Sequence, residues 1–124
     1  MGGTVKILIV NDSAVLRELV MRTLRAAGSS EHEFVEASTG SEALSSIAQE
    51  SPGLILCDWQ MPEMSGIETL RALREQDLSI PFCFVTAEFN SEMRIQATDS
   101  GAFAFLTKPF TPNSFKRVLG EILR

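Results

Sequence analysis

The sequence predicts an α/β domain, a three-layer (βα)5 sandwich in which five parallel strands alternate with five helices. Two observations support this class. Five apolar runs of four to six residues recur along the chain, a length that suits strands buried on both faces of a parallel sheet. Amphipathic stretches with helix-start signals separate the runs, and no repeat or linker interrupts them. The 124 residues correspond to a single domain, expected to span positions 1–124.

The strands are predicted at the apolar runs, which are Val5–Val10, Phe34–Ala37, Leu54–Cys57, Phe82–Val85 and Ala102–Leu106. The first helix is predicted to begin near Asp12 or Ser13 and to end at Gly28. Helical spacing then determines which apolar side chains face the sheet. In this helix they are expected to be Val15, Leu16, Leu19, Val20 and Leu24.

Capping signals mark the starts of the other helices. A Ser or Thr followed three residues later by Glu forms a capping box, and the pattern occurs at Thr39–Glu42 and at Ser65–Glu68. The fourth helix is expected to begin after Asn90. The fifth has Thr111 as its N-cap and Pro112 at the first helical position, where a missing N–H costs nothing.

Composition excludes several classes of function. The net charge of −5 argues against a nucleic-acid surface, which needs a basic stripe. No apolar run reaches the 18 residues of a membrane span, and there is no secretory signal, so a cytoplasmic protein is expected. Cys57 and Cys83 lie inside apolar runs and are expected to be buried, reduced thiols. The single histidine, His32, is expected to be solvated rather than to bind zinc.

Polar residues with compatible chemistry follow four of the five predicted strands. In parallel sheets, ligands bind at the carboxyl ends of the strands. These positions hold Asn11-Asp12 after the first strand, Asp58 after the third, Thr86-Ala87-Glu88 after the fourth and Lys108-Pro109-Phe110 after the fifth. If the strand order is 2-1-3-4-5, Asp12 and Asp58 face each other across the rim, with Thr86 and Lys108 beside them.

This set of residues predicts a phosphoryl-transfer site. Two nearby carboxylates repel each other unless a cation lies between them, and Mg²⁺ takes only one or two protein carboxylates while it keeps several waters. A hydroxyl from Thr86 and an ammonium from Lys108 can then hold phosphoryl oxygens around a nucleophilic carboxylate. Asp58 is tolerated at the end of a buried strand because Mg²⁺ and Lys108 are expected to neutralise it.

The chain resembles a response-regulator receiver domain, the phosphoacceptor half of two-component signalling. The resemblance extends from Val5 to Arg124 and rests on the acid after the first strand and the motifs "DWQMPEMSG", "TAE" and "KPF". It implies a flavodoxin-like fold with strand order 2-1-3-4-5. It also implies a signalling domain rather than an enzyme, without an output domain before the chain ends at Arg124.

The resemblance assigns the reacting groups. Asp58 would accept a phosphoryl group from a phosphohistidine on a sensor histidine kinase or phosphotransfer protein. Mg²⁺ would be held by Asp12, Asp58 and the backbone carbonyl of Gln60. Thr86 would hydrogen-bond the phosphoryl group, and Lys108 would pair with it.

Other residues would support the site. Ala87 would leave room for the phosphoryl group, and Lys108–Pro109 is expected to be a cis peptide bond that turns Lys108 toward the rim. Phe105 matches the aromatic switch residue, whose rotamer follows Thr86. A downstream partner is expected on the face formed by helix 4, strand 5 and helix 5. Phe103 and Phe105 are two residues apart in strand 5 and are therefore expected on the same side of it.

Two residues depart from the family pattern. The family usually has two acids after the first strand, but here the first is Asn11, which is expected to hold a metal-bound water through its amide oxygen. Phe105 lacks a hydroxyl, so its two rotamers can differ only in packing. Asn11 also favours an alternative, a receiver-fold interaction module that works independently of phosphorylation.

Two further classes lack their required motifs. A haloacid-dehalogenase-type phosphatase needs a second Asp two residues after the first, where this chain has Gln60. A flavodoxin-like cofactor binder needs a Ser/Thr/Gly-rich phosphate loop after the first strand, and "NDSAVLRE" is not one.

Overall fold

A computed structural model describes residues 4–29 and 32–123 and contains the predicted strands and helices. The strands are β1 (Lys6–Val10), β2 (Glu33–Ala37), β3 (Leu54–Cys57), β4 (Phe82–Thr86) and β5 (Ala104–Thr107). The helices are α1 (Ala14–Leu24), α2 (Gly40–Glu50), α3 (Gly66–Glu75), α4 (Ser91–Asp99) and α5 (Pro112–Leu123). A π-helical turn, Arg25–Ser29, follows α1 directly. Within it, Gly28 has a φ of 99°, in the left-handed region, so the helical backbone is broken at the predicted stop.

The five strands form one parallel sheet in the order β2-β1-β3-β4-β5, so the predicted order is confirmed. β2 and β5 are its edges. In the register of the central pair, Val10 lies beside Cys57. Asn11 and Asp58 therefore leave the sheet from adjacent, aligned strand ends.

The core lies in two layers on opposite faces of the sheet. One face is covered by α2, α3 and α4 and includes Phe82 and Phe84; the other is covered by α1 and α5 and includes Phe115. Cys57 and Cys83 lie on neighbouring strands but belong to opposite layers, and both are free and buried, as predicted. Burial raises the pKa of the Cys83 thiol to about 12, so this thiol stays protonated at neutral pH.

The inward face of α1 differs from the prediction. Val15 and Leu19, expected in the core, are 78% and 43% exposed, whereas Met21 is buried beside Val20 and Leu24. The reason is the position of the helix, because α1 starts beyond the carboxyl end of β1. Its first turns therefore lie at the rim, where there is no sheet below them to cover.

Two local predictions also need correction. Thr39 caps α2, but the carboxylate of Glu42 binds the backbone N–H and hydroxyl of Ser38 rather than closing a capping box. His32 is half-buried rather than solvated: its Nδ1 accepts from the backbone N–H of Val5 at 2.7 Å, and its Nε2 lies 3.0 Å from the carbonyl oxygen of Leu123. His32, directly before β2, thus connects the start of β1 to the end of α5. Among the described residues, no helix is long and apolar enough to cross a bilayer.

Candidate functional site

An open pocket of about 370 Å³ lies at the carboxyl ends of the central strands. Its lining residues are Asp58, Gln60, Thr86, Ala87 and Glu88. The fold therefore brings together four of the predicted site residues from the ends of two neighbouring strands. Glu88 adds a second carboxylate to the same pocket.

Asp58 is held by the backbone on both sides. Its N–H donates to the carbonyl of Val10 at 3.0 Å, which continues the sheet ladder by one bond beyond β3. Its Oδ1 accepts from the backbone N–H of Trp59 at 2.7 Å. The carbonyl of Trp59 in turn accepts from Gly66 N–H at 2.7 Å, so the start of α3 closes the turn that carries the carboxylate.

Gly66 is required by this turn. A Cβ built on it would overlap the carbonyl oxygen of Asp58 and lie 3.0 Å from the ring of Phe84. No side chain fits between the start of α3 and the backbone of the predicted phosphoacceptor. The "SG" in the motif is therefore a packing requirement for placing Asp58.

Asn11 presents a hydrogen-bond donor to Asp58. Its Nδ2 lies 3.4 Å from Asp58 Oδ2, and its Oδ1 accepts from the backbone N–H of Ser13 at 2.9 Å. Asn11 is only 7% exposed, whereas Asp12, the next residue, is exposed. Asp12 as a metal ligand and Asn11 as the holder of a metal-bound water stay predictions.

Thr86 and Lys108 lie on the other side of the site. Thr86 is buried at the end of β4, and its carbonyl accepts from Lys108 N–H at 3.2 Å. The Lys108–Pro109 bond is cis, as predicted. Lys108 lines a separate apolar hollow with Leu19 and Phe110, and no ion pair within 4.0 Å joins it to Asp58 in the part of the chain that the structure describes.

The donor set is compatible with Mg²⁺. Within residues 4–29 and 32–123, no three His, Cys, Asp or Glu side chains converge on one point. Mg²⁺ does not need such a cage, because it keeps several waters and takes one or two carboxylates. Asp58 and Gln60 line the open pocket, and Asp12 lies one residue beyond Asn11 at the adjacent strand end. These three residues would supply that number of oxygens.

A row of aromatic rings extends from the site to α4. Trp59, directly after Asp58, packs edge-on against Phe89 with ring centroids 6.1 Å apart. Phe89 stacks on the predicted switch residue Phe105 at 4.2 Å, and the guanidinium of Arg94 lies 4.3 Å from the Phe105 ring centroid. The sequence pattern indicates Phe105 as the switch residue but does not indicate that Phe89 and Arg94 pack against it. The only local signal was an aromatic residue directly after "TAE".

Comparison with known families decides the class. The family model for the response regulator receiver domain matches residues 7–119, most of the chain. The chain belongs to this family. The receiver is 38% identical over 120 residues to the phosphate regulon transcriptional regulatory protein PhoB of Pseudomonas aeruginosa, covering 95% of this chain and 51% of that protein.

Other relatives agree with this family assignment. The receiver is 34% identical over 119 residues to the alkaline phosphatase synthesis transcriptional regulatory protein PhoP of Bacillus subtilis, covering 96% of this chain and 48% of that protein. The chain thus spans about half the length of these relatives. Among solved structures it resembles the chemotaxis protein CheY4 of Vibrio cholerae, with a TM-score of 0.85, 32% identity, and coverage of 98% of this chain and 100% of that chain.

Proposed function

We propose that this receiver is a phosphorylation-dependent switch that accepts a phosphoryl group on Asp58 from a phosphohistidine. The donor is a sensor histidine kinase or a phosphotransfer protein of the cytoplasm. The observation that carries the proposal is the pocket itself. It places a fixed carboxylate, the Asp58 side chain, beside the strand-end residue Thr86 and opens to solvent.

The reaction is a displacement at phosphorus. An oxygen of the Asp58 carboxylate forms a bond to phosphorus, and the bond between phosphorus and the donor imidazole nitrogen breaks. That nitrogen takes the electron pair and then a proton from solvent. The N–H of Trp59 bonds Oδ1 at 2.7 Å, so one oxygen of the carboxylate is held in place before the attack.

The surrounding residues stabilise the transferred group. Asp12, Asp58 and the Gln60 carbonyl would hold Mg²⁺, which when bound would supply positive charge beside the phosphoryl oxygens. The Thr86 hydroxyl donates a hydrogen bond, and Ala87 leaves space beside it. Lys108, which is exposed and lines the neighbouring hollow, would turn its ammonium toward the phosphoryl group.

An apolar surface next to this rim fits the phosphodonor. Val15 and Leu19 are exposed on α1, and both line a hollow of about 410 Å³. A second hollow, of about 450 Å³, is lined by Leu19 together with Pro109 and Phe110. Both hollows include Leu19, and Lys108 borders the second. A helical partner seated here would bring its phosphohistidine to the rim that carries Asp58.

The downstream partner is assigned to the face of α4, β5 and α5. β5 is a sheet edge, and Ile95 and Phe103 are 60% and 49% exposed on this face. Phe105 stacks on Phe89, and the guanidinium of Arg94 lies against both rings, 4.3 Å from the Phe105 centroid and 5.7 Å from that of Phe89. Phe89 in turn packs against Trp59 and so connects this face to the turn that carries Asp58. A change at Asp58 can therefore reach the partner surface through packed rings.

Intact-mass measurement tests phosphoryl uptake directly. With acetyl phosphate and Mg²⁺, the wild-type chain is expected to gain one phosphoryl group, and Asp58→Ala none. Asp99→Asn, an exposed acid at the end of α4, is the matched control and should gain one. A chelator should abolish the gain. No gain in wild type at millimolar donor would overturn the proposal.

The alternative is an interaction module that works without phosphorylation. The observation in its favour is that Asn11 donates to the Asp58 carboxylate, so the site holds together without a cation. The same mass experiment bears on the choice, because the absence of a phosphoryl gain in wild type would leave a module that binds its partner independently of phosphorylation.

A further inference from the structure

Arg17, on α1, takes no part in the function proposed above, yet it contacts the loop beside the phosphoacceptor. Its Nη1 donates to the carbonyl of Asn11 at 2.6 Å, and its Nε donates to Glu36 Oε1 at 2.9 Å. The Arg17 side chain is only 15% exposed, although Glu36 is 46% exposed. The guanidinium thus joins three parts of the fold: α1, the edge strand β2 and the loop that leads to Asp12.

Every polar group of Asn11 is bonded. Its backbone N–H donates to Ala37 at 3.1 Å, its carbonyl accepts from Arg17, its Oδ1 accepts from Ser13 and its Nδ2 donates to Asp58. Ser13 N–H needs the amide oxygen, so the amide group must turn its NH₂ toward Asp58. The orientation of this side chain follows from its backbone position, which Arg17 helps to fix.

We propose that Arg17 is a positioning residue for the phosphoacceptor and acts through Asn11. Together with Glu36, it holds the Asn11 backbone where the side-chain amide can bond the Asp58 carboxylate. The inference rests on the proposed role of Asp58 as phosphoacceptor. Arg17 itself touches none of the reacting atoms.

The contact between the Asn11 amide and the Asp58 carboxylate is long, so it is sensitive to the position of the Asn11 backbone. At 3.4 Å, the contact between Asn11 Nδ2 and Asp58 Oδ2 is longer than the usual N–H···O range. A small shift of the Asn11 backbone therefore breaks it and frees one oxygen of the carboxylate. The other oxygen keeps its bond to Trp59 N–H, so the carboxylate loses orientation without leaving the site.

A purely structural role makes a different prediction. If Arg17 only pairs α1 with β2, its removal lowers the melting temperature and leaves Asp58 unchanged. The pair joins a largely buried guanidinium to a half-exposed carboxylate, so its loss should lower the melting temperature without unfolding the chain. The two roles therefore separate in measurements made on folded protein well below its melting temperature.

The test uses Arg17→Met, which keeps the apolar stem and removes both bonds, and Arg17→Lys, which keeps the charge but not the two-pronged geometry. Arg22→Met is the matched control on the same helix, because Arg22 is 75% exposed and, within the described part of the chain, pairs with Glu18 alone. NMR spectra of the metal-free chain report on the Asn11 side-chain amide, which is assigned by its absence in Asn11→Ser, and on the Trp59 backbone amide. Arg17→Met should shift both resonances, and Arg22→Met neither.

The second measurement is the rate of phosphoryl uptake from acetyl phosphate at saturating Mg²⁺. Arg17→Met should slow uptake by roughly three- to tenfold, the effect of losing one hydrogen bond. Arg17→Lys should lie between Arg17→Met and wild type. In the Asn11→Ser background the Arg17→Met change should have little further effect, because the two residues act in series.

Unshifted resonances with a wild-type rate in Arg17→Met, or rate effects that add in the double variant, would overturn the positioning role. If wild type takes up no phosphoryl group, the proposed function fails. The NMR comparison still decides whether Arg17 positions Asn11 against Asp58.

Discussion

Asn11 differs from an aspartate by an NH₂ group, and that group lies 3.4 Å from the Asp58 carboxylate. With an acid at this position, two carboxylate oxygens would face each other at the same distance. The chain instead has a donor facing an acceptor. The metal-free site is therefore stabilised by Asn11, and the metal-bound site lacks the extra charge that an acid would bring.

Replacing Asn11 with Asp should change stability with opposite signs in the two states. Without metal, Asn11→Asp should lower the melting temperature by roughly 3–5 °C, because a repelling oxygen replaces a donor. With Mg²⁺ the added charge should tighten binding several-fold, about 1 kcal/mol after desolvation. Thermal melts in chelator and across a Mg²⁺ titration measure both effects. Identical responses of the two proteins to Mg²⁺ would show that residue 11 does not interact with the metal.

Gly66 allows a second prediction, because another helical glycine, Gly120, has free space where Gly66 has none. Gly66→Ala should destabilise the fold by about 1–3 kcal/mol, since the new methyl group overlaps the carbonyl of Asp58. Gly120→Ala, in α5 with nothing near its added Cβ, should instead stabilise by up to about 1 kcal/mol. Urea midpoints of both variants test this. Equal effects would contradict the close approach of α3 to Asp58.

Among the elements, α3 depends most on its first turn, because that turn also carries Gly66 beside Asp58. Ser65 and Glu68 form a complete capping box, with the Ser65 N–H bonded to the Glu68 carboxylate at 2.9 Å. The backbone N–H of Ser65, followed by its side chain, lowers the pKa of Glu68. A lowered pKa in the folded state means that the ionised form stabilises the fold.

The capping box should therefore weaken in acid. Its contribution is present above the unfolded-state pKa of Glu, about 4.3, and is lost as pH falls through the lower folded-state value. Glu68→Gln keeps the shape and removes the charge, so its stability difference from wild type should shrink toward zero at low pH. Glu75→Gln, at the other end of α3, gives the baseline for an exposed glutamate. A Glu68→Gln difference that stays constant from neutral pH to acid would contradict the role of the charge.

At the scale of the whole fold, large apolar side chains are exposed in two places among residues 4–29 and 32–123. One consists of Val15 and Leu19 beside Pro109 and Phe110; the other consists of Ile95 and Phe103 on the face of α4, β5 and α5. The first adjoins Lys108, which follows β5 at the same end of the sheet as Asp58. The two surfaces can therefore serve a phosphodonor and a downstream partner separately.

Kinetics with two phosphodonors should separate these surfaces. Val15→Ser should slow transfer from a phosphorylated histidine kinase by roughly tenfold and leave uptake from acetyl phosphate unchanged, because the small donor needs no docking surface. Phe103→Ser, the control on the second surface, should change neither rate. Equal slowing with both donors would contradict docking on α1. A hydrogen-exchange footprint of the downstream partner on α2 and α3 would contradict the second surface.

The strands, the order of helices and the strand-end residues were predictable because local patterns specify them. Buried strands appear as short apolar runs, and helix starts appear as caps such as those at Ser65 and Asn90. Strand ends then select Asp58 and Thr86 without knowledge of any contact. The match of these residues to the receiver pattern supplied the strand order that the structure confirms.

Contacts between distant parts of the chain could not be predicted in this way. The periodicity of α1 does not show that Val15 and Leu19 lie beyond the edge of the sheet, because periodicity gives the face of a helix and not its position along a strand. Nor does any local pattern show which end of the Asn11 amide faces Asp58. That orientation depends on bonds to Ser13 and Arg17, and on the alignment of β1 with β3 across more than forty intervening residues. The sequence alone therefore specified the elements and the chemistry of the rim, whereas packing determined the directions of the groups that act there.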